Sequence, residues 1–558
     1  MGFASRLGKY AVVGGADHCT ICFMVIRAFK TGVSREQSSF LPPCLEDYVA
    51  PDNPVRAIEA FVDALDLDRL GFKVAAVAGG AGQPPYHPGD LLKLYVYGYM
   101  YRIRSSRALA REAGRNLELI WLLRQLRPCF RTIANFRKDN WVAFKAANRA
   151  FVMMARQLQL IGGEVVAIDG AFFHGDASRG SIKTNKRLMA QLAEIDRDIE
   201  DYGAALAAGD AAEGDGGGAG VAAGADAGAA MTALMDKRAA VAAELARLAA
   251  SGETQVSRTD PDARLLTKNG RVVAGYNVQI AVDDKHKLIV ASEVVNDGND
   301  TGQLHAMATA AKEELGVDTL AALADTGYFN GPELKACEED GILAYVPQAR
   351  RTGRLDAQGR LSHEAFVYDA EHEVYRCPAG KFLIASAGRK ANGGRLEIRY
   401  TSRKADCDAC PLRKRCLSAK ATTRTIQRWE HQDVLDRHAA RMAAAAAPMR
   451  RRGAIVEHPF GTLKCRAGYR HFLLRGFDKV RGEWSLMALC YNFSRVLTIV
   501  RFAALVAYFA TRAAASSFLS LGTALSAAVA ALRGLLAQFR ATLEFKRAKF
   551  GAPSALAA

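Results

Sequence analysis

"EVVAIDG" (Glu164–Gly170) decides how the chain is read. Four apolar residues, three of them β-branched, run into an acid and a glycine. That pattern is a short buried strand with Asp169 at its end. Similar runs come later in the chain. "VVAGYNVQIAVDDKHKLIVASEVV" (272–295) alternates and turns around Asp283–Asp284, as a hairpin pair does. "TLAALADTGYFN" (319–330) is an apolar strand ending in Asp325, and "LAYVPQ" (343–348) is another strand. "GQLHAMATAAKEEL" (302–315) has helical spacing between them. Strands alternating with helices predict an α/β sheet.

Upstream the period is different. Apolar residues recur at threes and fours from Pro54, and several helices are predicted between Tyr86 and Ala150. Ser105 or Ser106 can cap one and Thr132 another. This stretch has thirteen Arg or Lys against four Asp or Glu, with Tyr95, Tyr97, Tyr101, Trp121, Phe130, Phe136 and Trp141 interleaved. A basic helical unit of this kind suits helix-turn-helix docking in a DNA groove, with Arg131, Arg137 and Lys138 as candidate contacts. A helical bundle with solvated arginine faces fits the same pattern.

The bulk numbers agree with several domains. At 558 residues, and roughly 100–200 residues per domain, two to four units are expected. Half the residues are hydrophobic, so the chain is globular, and the net charge of +17 favours a polyanion, nucleic acid before membrane. Residues 10–26 are apolar but interrupted by Asp17 and His18, so no secretion signal is read. Eleven cysteines in this length do not make a disulfide scaffold, and a cytoplasmic setting is expected. The uncharged run Ala513–Leu532 is long enough to span a bilayer, but its Ala and Ser content favours a packed helix or tail, and no membrane partner is expected.

Two insertions interrupt the α/β pattern. "LMAQLAEIDRDIEDYGAAL" and "LMDKRAAVAAELARLAA" are the arms of a helical hairpin around a Gly/Ala tract at 207–230, within an insertion at 183–255. A second insertion, 348–430, holds four cysteines. The expected division is a leader at 1–35, a helical N-terminal DNA-binding domain at 36–160, a catalytic domain at 161–500, and an apolar helical tail at 501–558.

Asp169 and Asp325 each close a predicted strand. In an open α/β sheet both can face the crevice at the strands' carboxyl ends. A third acid, Glu457, lies in "AIVEHPFGTLKCRAGYRHF" (454–472), ahead of Lys464, Arg466 and Arg470. Glu457 and Lys464 are seven apart, two helical turns, and so share a face. Converging carboxylates repel unless divalent cations join them. Mg²⁺ takes one or two carboxylates plus waters and phosphate oxygens, and two such ions can serve the attacking and leaving oxygens of one phosphodiester. The neighbouring cations would hold the DNA backbone. Each acid also has a plainer reading: Asp169 and Asp325 as turn or cap residues, Glu457 as a surface ion pair. His174 and His458 read as structural residues, Trp484 as core, and Cys465 and Cys490 as packing residues.

The segments "VVAIDG", "TDPDARLL", "GYNVQIAVD", "LADTGYF" and "EHPFGTLK" resemble the DDE transposases of bacterial insertion sequences. So do "DNPVRAIEAFVDAL", "YHPGDLLKLYVYGYMYRIRSSRALAREAGRN" and "FRTIANFRKDN". The likeness runs from about Phe40 to about Val500. It implies an RNase H-like α/β catalytic core, a mixed sheet with flanking helices, preceded by the helical domain and interrupted by the insertions. It implies Asp169, Asp325 and Glu457 as catalytic, metal-binding acids using two Mg²⁺ or Mn²⁺ ions. Lys464 matches the basic residue that contacts the transposon end. The slot one turn before the Glu, often Arg in related enzymes, is Gly453 here, with Arg452 adjacent. The implied function is binding of double-stranded DNA, transposon ends and target, with strand cleavage and transfer, by a homodimer on DNA at the nucleoid. The alternatives are an inactive DNA-binding derivative and a nuclease that does not join strands.

Cys377, Cys407, Cys410 and Cys416 form "RCPAG … CDACPLRKRC". A CxxC turn plus two further thiolates can build a tetrahedral zinc site. Reduced cysteines without metal are the other reading.

Overall fold

The computed structural model describes residues 44–73, 85–213, 221–268, 270–348, 359–392 and 395–514. The expected leader, and the tail beyond residue 514, lie outside the described residues. The chain divides into two compact units, one ending at Tyr48 and one beginning at Val49. In the first, a 3₁₀ turn spans Leu45–Tyr48, and the Asp47 carboxylate accepts from the Cys44 N–H at 2.8 Å.

The second unit opens with six helices: α1 (Pro54–Asp63), α2 (Pro88–Met100), α3 (Ser106–Glu112), α4 (Leu117–Leu122), α5 (Phe130–Asp139) and α6 (Trp141–Gln157). Pro54 starts α1 where its missing N–H costs nothing, and the Asn53 side chain caps the Val55 N–H. Two expected caps differ. Ser105 precedes α3 without a side-chain bond. Thr132 lies inside α5, whose cap position is Cys129, and its hydroxyl meets the Cys129 sulfur at 3.3 Å. The interleaved aromatics are mostly core: Tyr95, Phe136 and Phe144 pack together, and Phe61 meets Phe151, Phe493 and Phe509.

The central sheet has six strands: β1 (Val165–His174), β4 (Arg264–Lys268), β5 (Arg271–Asp283), β6 (Ile289–Val295), β7 (Leu320–Leu323) and β8 (Ile342–Tyr345). β1 is antiparallel to β5 on one side and parallel to β7 on the other, and β7 is parallel to β8. The far edge of β5 carries β4 along its first half and β6 along its second. Helices α9 (Leu304–Leu315) and α12 (Ala446–Gly461) both pack on β1, β5 and β7, while α10 (Gly331–Glu339) covers β8. Helix α11 (Gln432–Ala443) also meets β8. The long helix α13 (Phe477–Ile499) is buried against α6, α2 and β6. It crosses α6 so closely that a Cβ on Gly482 would stand 2.6 Å from the Trp141 Cβ.

"TDPDARLL" is explained by this helix. The Asp260 carboxylate accepts from the Gly476 N–H at 2.9 Å, and Asp262 accepts from the Phe477 N–H at 2.8 Å. Two acids from a distant loop therefore satisfy orphan donors at the positive end of α13.

The first insertion is a hairpin of α7 (Asn185–Glu213) and α8 (Val221–Ser251), rooted on the small ribbon β2 (Ile182–Thr184) and β3 (Gln255–Ser257). Leu188, Ile195, Val241 and Leu248 form its own core. The second carries a five-stranded antiparallel sheet, β9 (Val367–Asp369), β10 (Val374–Arg376), β11 (Phe382–Asn392), β12 (Arg395–Ser402) and β13 (Thr425–Trp429). Two helical turns, Lys404–Asp408 and Arg413–Cys416, lie between β12 and β13. A helix also covers 502–514. Among the described residues no helix is long and apolar enough to cross a membrane.

Candidate active site

Asp169 is in the middle of β1, not at its end. The strand continues through Ala171–His174 because β5 pairs with it along that whole length, Gly170 opposite Gln279 and His174 opposite Gly275. Gly170 is therefore not a turn residue. It leaves room for polar side chains: a Cβ there would lie 2.3 Å from Gln279 Nε2 and 2.4 Å from Asp300 Oδ1. Asp325 stands two residues past β7 and accepts from the Gly327 N–H at 2.8 Å, capping the 3₁₀ turn Thr326–Tyr328.

Parallel pairing of β1 with β7, Ala167 opposite Leu323, sets these two acids level with each other just past the end of β7. Their charges act on each other. Burial raises the Asp169 carboxyl above its usual range; Arg452 pulls it back, and Asp325 pushes it further up. The Gly170 N–H, donating to Asp169 Oδ1 at 2.9 Å, and the Lys268 charge favour the anion. Burial, and then Asp300, Asp169 and Asp325, hold the Tyr328 phenol well above its usual range.

Glu457 rides on α12, the helix that packs over these strands, and is exposed. Its carboxylate lies back over the preceding turn, since a Cβ on Gly453 would sit 3.3 Å from Glu457 Oε1. Among the described residues no three His, Cys, Asp or Glu side chains are gathered closely enough to hold a metal ion. The structure thus brings two of the three acids within electrostatic reach of each other and leaves the third outside any such cluster.

The basic residues divide sharply. Arg452 sits with the acids, and its Nη1 is buried without a hydrogen-bond partner. Lys464 departs from the expected helical face. The helix relaxes into a π turn at Thr462–Arg466, which winds more residues per turn and rotates the later side chains about the axis. Lys464 Nζ donates to the Phe172 carbonyl at 2.7 Å and lies over the Phe173 ring. Arg466 remains exposed, as does Cys465, so that cysteine is not a packing residue; Cys490 is buried. In α5, Arg131 and Lys138 are exposed. Arg137 is not available to a phosphate: it is 6% exposed and donates to the Tyr99 hydroxyl and the Arg104 carbonyl.

The histidines and Trp484 are structural. His458 Nδ1 is 2.8 Å from the Tyr491 hydroxyl. His174 exchanges backbone bonds with Arg470 and Phe472, tying the segment after the π turn to the end of β1. Trp484 is in the core.

Sequence reasoning missed a polar group beneath the acids. Asp300, 6% exposed, accepts from Asn277 Nδ2 at 3.0 Å and Gln279 Nε2 at 2.8 Å, and pairs with Lys268 at 3.4 Å. The Tyr328 hydroxyl donates to Gln279 Oε1. The signal was present: Asn277 and Gln279 share one face of an otherwise apolar strand, and buried amides need partners.

The four cysteines of the second insertion line one cavity of about 30 Å³ with Arg424 and Ser402. Burial raises the Cys416 thiol, Arg424 opposes this, and the other three cysteines raise it further. The Cys377 sulfur accepts from the Lys381 N–H at 3.3 Å.

Comparison with known proteins gives two family matches. The Transposase DDE domain model matches residues 376–497, and the Transposase domain (DUF772) model matches residues 43–139. No curated protein matches. Among solved structures, a piggyBac transposase synaptic complex with hairpin DNA aligns at 8% identity and a TM-score of 0.29, covering 84% of this chain and 81% of that one. Transposase family models thus match on both sides of the central sheet, a pair of matches typical of bacterial insertion-sequence transposases.

Proposed function

We propose that this transposase binds the ends of its insertion sequence and carries out divalent-metal-dependent DNA strand cleavage and strand transfer. One observation carries the reading: the parallel pairing of β1 and β7 sets Asp169 and Asp325 level with each other just past the end of β7, with Arg452 beside them. The strand order β6-β5-β1-β7-β8, with β5 running against the other four strands, supports an RNase H-like core.

The donor set suits a hard cation. Mg²⁺ takes one or two carboxylates and completes its shell with water and phosphate oxygens, so an acid pair with an exposed third carboxylate is compatible with Mg²⁺ or Mn²⁺. Asp169 and Asp325 would hold the metal, with Glu457 as the third acid. When bound, two such ions supply Lewis acidity to the attacking and leaving oxygens of a phosphodiester. The chain's own part is to place cations around the phosphate. Arg452 offers a buried, unpartnered donor beside Asp169, and Arg466, Arg131 and Lys138 offer exposed charge to the DNA backbone.

The same reading assigns 36–160 to DNA binding and 161–500 to catalysis, with insertions at 183–255 and 348–430. It places the protein at the nucleoid, as a homodimer on DNA. Cys377, Cys407, Cys410 and Cys416 line one cavity without being gathered closely enough to form a metal site as they stand, and structural zinc there would draw the four thiolates together.

The test is strand cleavage of a duplex carrying the DNA that flanks the coding region. Mg²⁺-dependent nicking at the element's end, lost in Asp169→Asn and Asp325→Asn while DNA binding persists, is expected. Undiminished nicking in either variant would refute the acid assignment. Salt-dependent binding without nicking in Mg²⁺ or Mn²⁺ would favour an inactive derivative, and nicking without joining would favour a nuclease.

A further inference from the structure

The β4–β5 hairpin is bent back over the site. Lys268, at the end of β4, pairs with Arg271 at the start of β5, so both are at the hairpin tip beside Gly270. Asp300 is bonded to Gln279, eight residues further along β5. A flat strand would carry the tip ~26 Å from Gln279, far beyond the reach of one lysine. Yet Lys268 Nζ is 3.4 Å from Asp300 Oδ2 and 5.9 Å from the Phe172 ring centre. At Gly275 the strand passes so near β1 that a Cβ would meet the Phe173 carbonyl at 2.0 Å, and the arm beyond it curls over the sheet.

The position reached is next to both acids. Asp300 lies against Gly170, the residue after Asp169, and its Oδ2 lies 3.7 Å from where a Cβ on Gly327 would be, with Asp325 Oδ1 at 3.0 Å from the same point. Asp300 Oδ1 is occupied by two amides, which leaves Oδ2 for the lysine. An ammonium has three donors. Only one is spent on Asp300, and the Lys268 side chain is 45% exposed.

We propose that Lys268 binds a DNA phosphate at the cleavage site, and that buried Asp300 is the positioning residue that holds the hairpin arm and its lysine there. This rests on the transposase reading of the acid pair. A protein that must steady a polyanion beside carboxylates needs a cation next to them, and the hairpin arm delivers one.

The experiment measures binding of the full chain to duplex carrying the flanking DNA, without divalent metal, as a function of salt. Lys268→Met lowers the slope of log K against log salt by about 0.9, the loss of one phosphate contact, and Lys268→Arg restores it. Asp300→Asn gives part or all of the same drop, and adding it to Lys268→Met changes the slope no further. In Mg²⁺, Lys268→Met slows cleavage ~10-fold or more. An unchanged slope in Lys268→Met overturns the proposal even if cleavage falls, since that would be a packing role. A wild-type slope in Asp300→Asn removes Asp300 from the device. If wild-type protein binds this DNA but never cuts it, the catalytic reading fails while the slopes still decide the phosphate contact.

Discussion

Lys464 donates its ammonium to the carbonyl oxygen of Phe172 at 2.7 Å, across the π turn that comes after Glu457. The bond ties the end of the Glu457 helix to the strand that carries Asp169. Burial drives the Lys464 amine down to about 8, Lys268 lowers it further, and Asp169 opposes the shift. The folded amine is thus neutral above pH 8, while the unfolded chain keeps its proton up to the ordinary lysine range. The unfolded state binds more protons in that window, so this group adds stability as pH rises from about 8 to 10.5. Wild-type protein should gain up to about 3 kcal/mol relative to Lys464→Met over that range. Urea unfolding at pH 7.5 and pH 10 measures it, and a constant difference between the two proteins would show that the amine is solvated.

His438 gives the opposite limb. It is buried between α11 and the end of β8, within reach of the Val346 N–H at 3.4 Å and edge-on to Phe329. Burial, and then Arg441, pull it down to about 4. The unfolded imidazole charges near pH 6.5 and the folded one does not, so stability falls as pH drops from 6.5 towards 4. The loss is about 2 kcal/mol at pH 5. His438→Gln keeps an acceptor for Val346 and cannot titrate. Its melting temperature should change less than the wild type's between pH 7 and pH 5.

Much of the sheet is legible because its strands announce themselves: apolar, β-branched and bounded by acids and glycines. Two departures come from context the sequence does not carry. Asp169 looks terminal because the apolar run stops there, but β5 supplies partners for five more residues, and pairing, not hydrophobicity, sets a strand's length. A regular helix period puts Lys464 on the Glu457 face, and the π turn after Pro459 changes that period. Arg137 shows the limit of counting charge: its guanidinium is absorbed by Tyr99 and a backbone carbonyl. The Asp169–Asp325 pair is readable from two strand ends. Asp300 and Lys268 are not: the loop between β6 and α9 brings Asp300 to the amides of Asn277 and Gln279, and the curl of the β4–β5 arm brings Lys268 to it.

Glu483 reads in the sequence only as part of an apolar helix, and it is fully buried. Its Oε2 accepts from the Leu473 and Leu474 N–H groups at 2.9 and 3.1 Å; its Oε1 accepts from the Tyr99 hydroxyl at 3.2 Å and lies 3.8 Å from Arg104. It therefore joins α2 to the loop that leads from Lys464 into α13. Glu483→Gln keeps the shape, leaves Arg104 without its counter-charge and turns an amide towards donors. A loss of about 3 kcal/mol in urea unfolding is expected, with a smaller loss for Tyr99→Phe, which removes the hydroxyl's bonds to Glu483 and Arg137 but leaves both charges in place. Equal effects from both variants would mean that the charge of Glu483 contributes nothing.

Zinc in the cysteine module has a direct measurement. Four cysteines line the cavity, and metal held there would tie the segment between β12 and β13 to the β10–β11 turn. Protein purified without chelator should contain one zinc per chain, and Cys410→Ser should lose it and unfold this module at lower temperature, leaving the helical domain's signal unchanged. Metal-free protein with an unaltered melt would leave reduced cysteines as the correct description.

Two glycines beside the acids separate fold from site. At Gly170 a Cβ would press on Gln279 Nε2 and Asp300 Oδ1 at 2.3 and 2.4 Å, two atoms hydrogen-bonded to each other in a buried network. Those groups cannot retreat without breaking hydrogen bonds, so Gly170→Ala should cost about 2–3 kcal/mol and reduce cleavage together with stability. At Gly453 the nearest atom is Glu457 Oε1 at 3.3 Å, the mobile end of an exposed side chain. Alanine there removes a helix-interior glycine and should raise stability by about 0.5–1 kcal/mol, while pushing the Glu457 carboxylate off the turn where it rests. Gly453→Ala is therefore expected to melt higher and cut DNA at an altered rate. A variant that melts higher and cuts at the wild-type rate would mean that the resting place of Glu457 is irrelevant to the reaction.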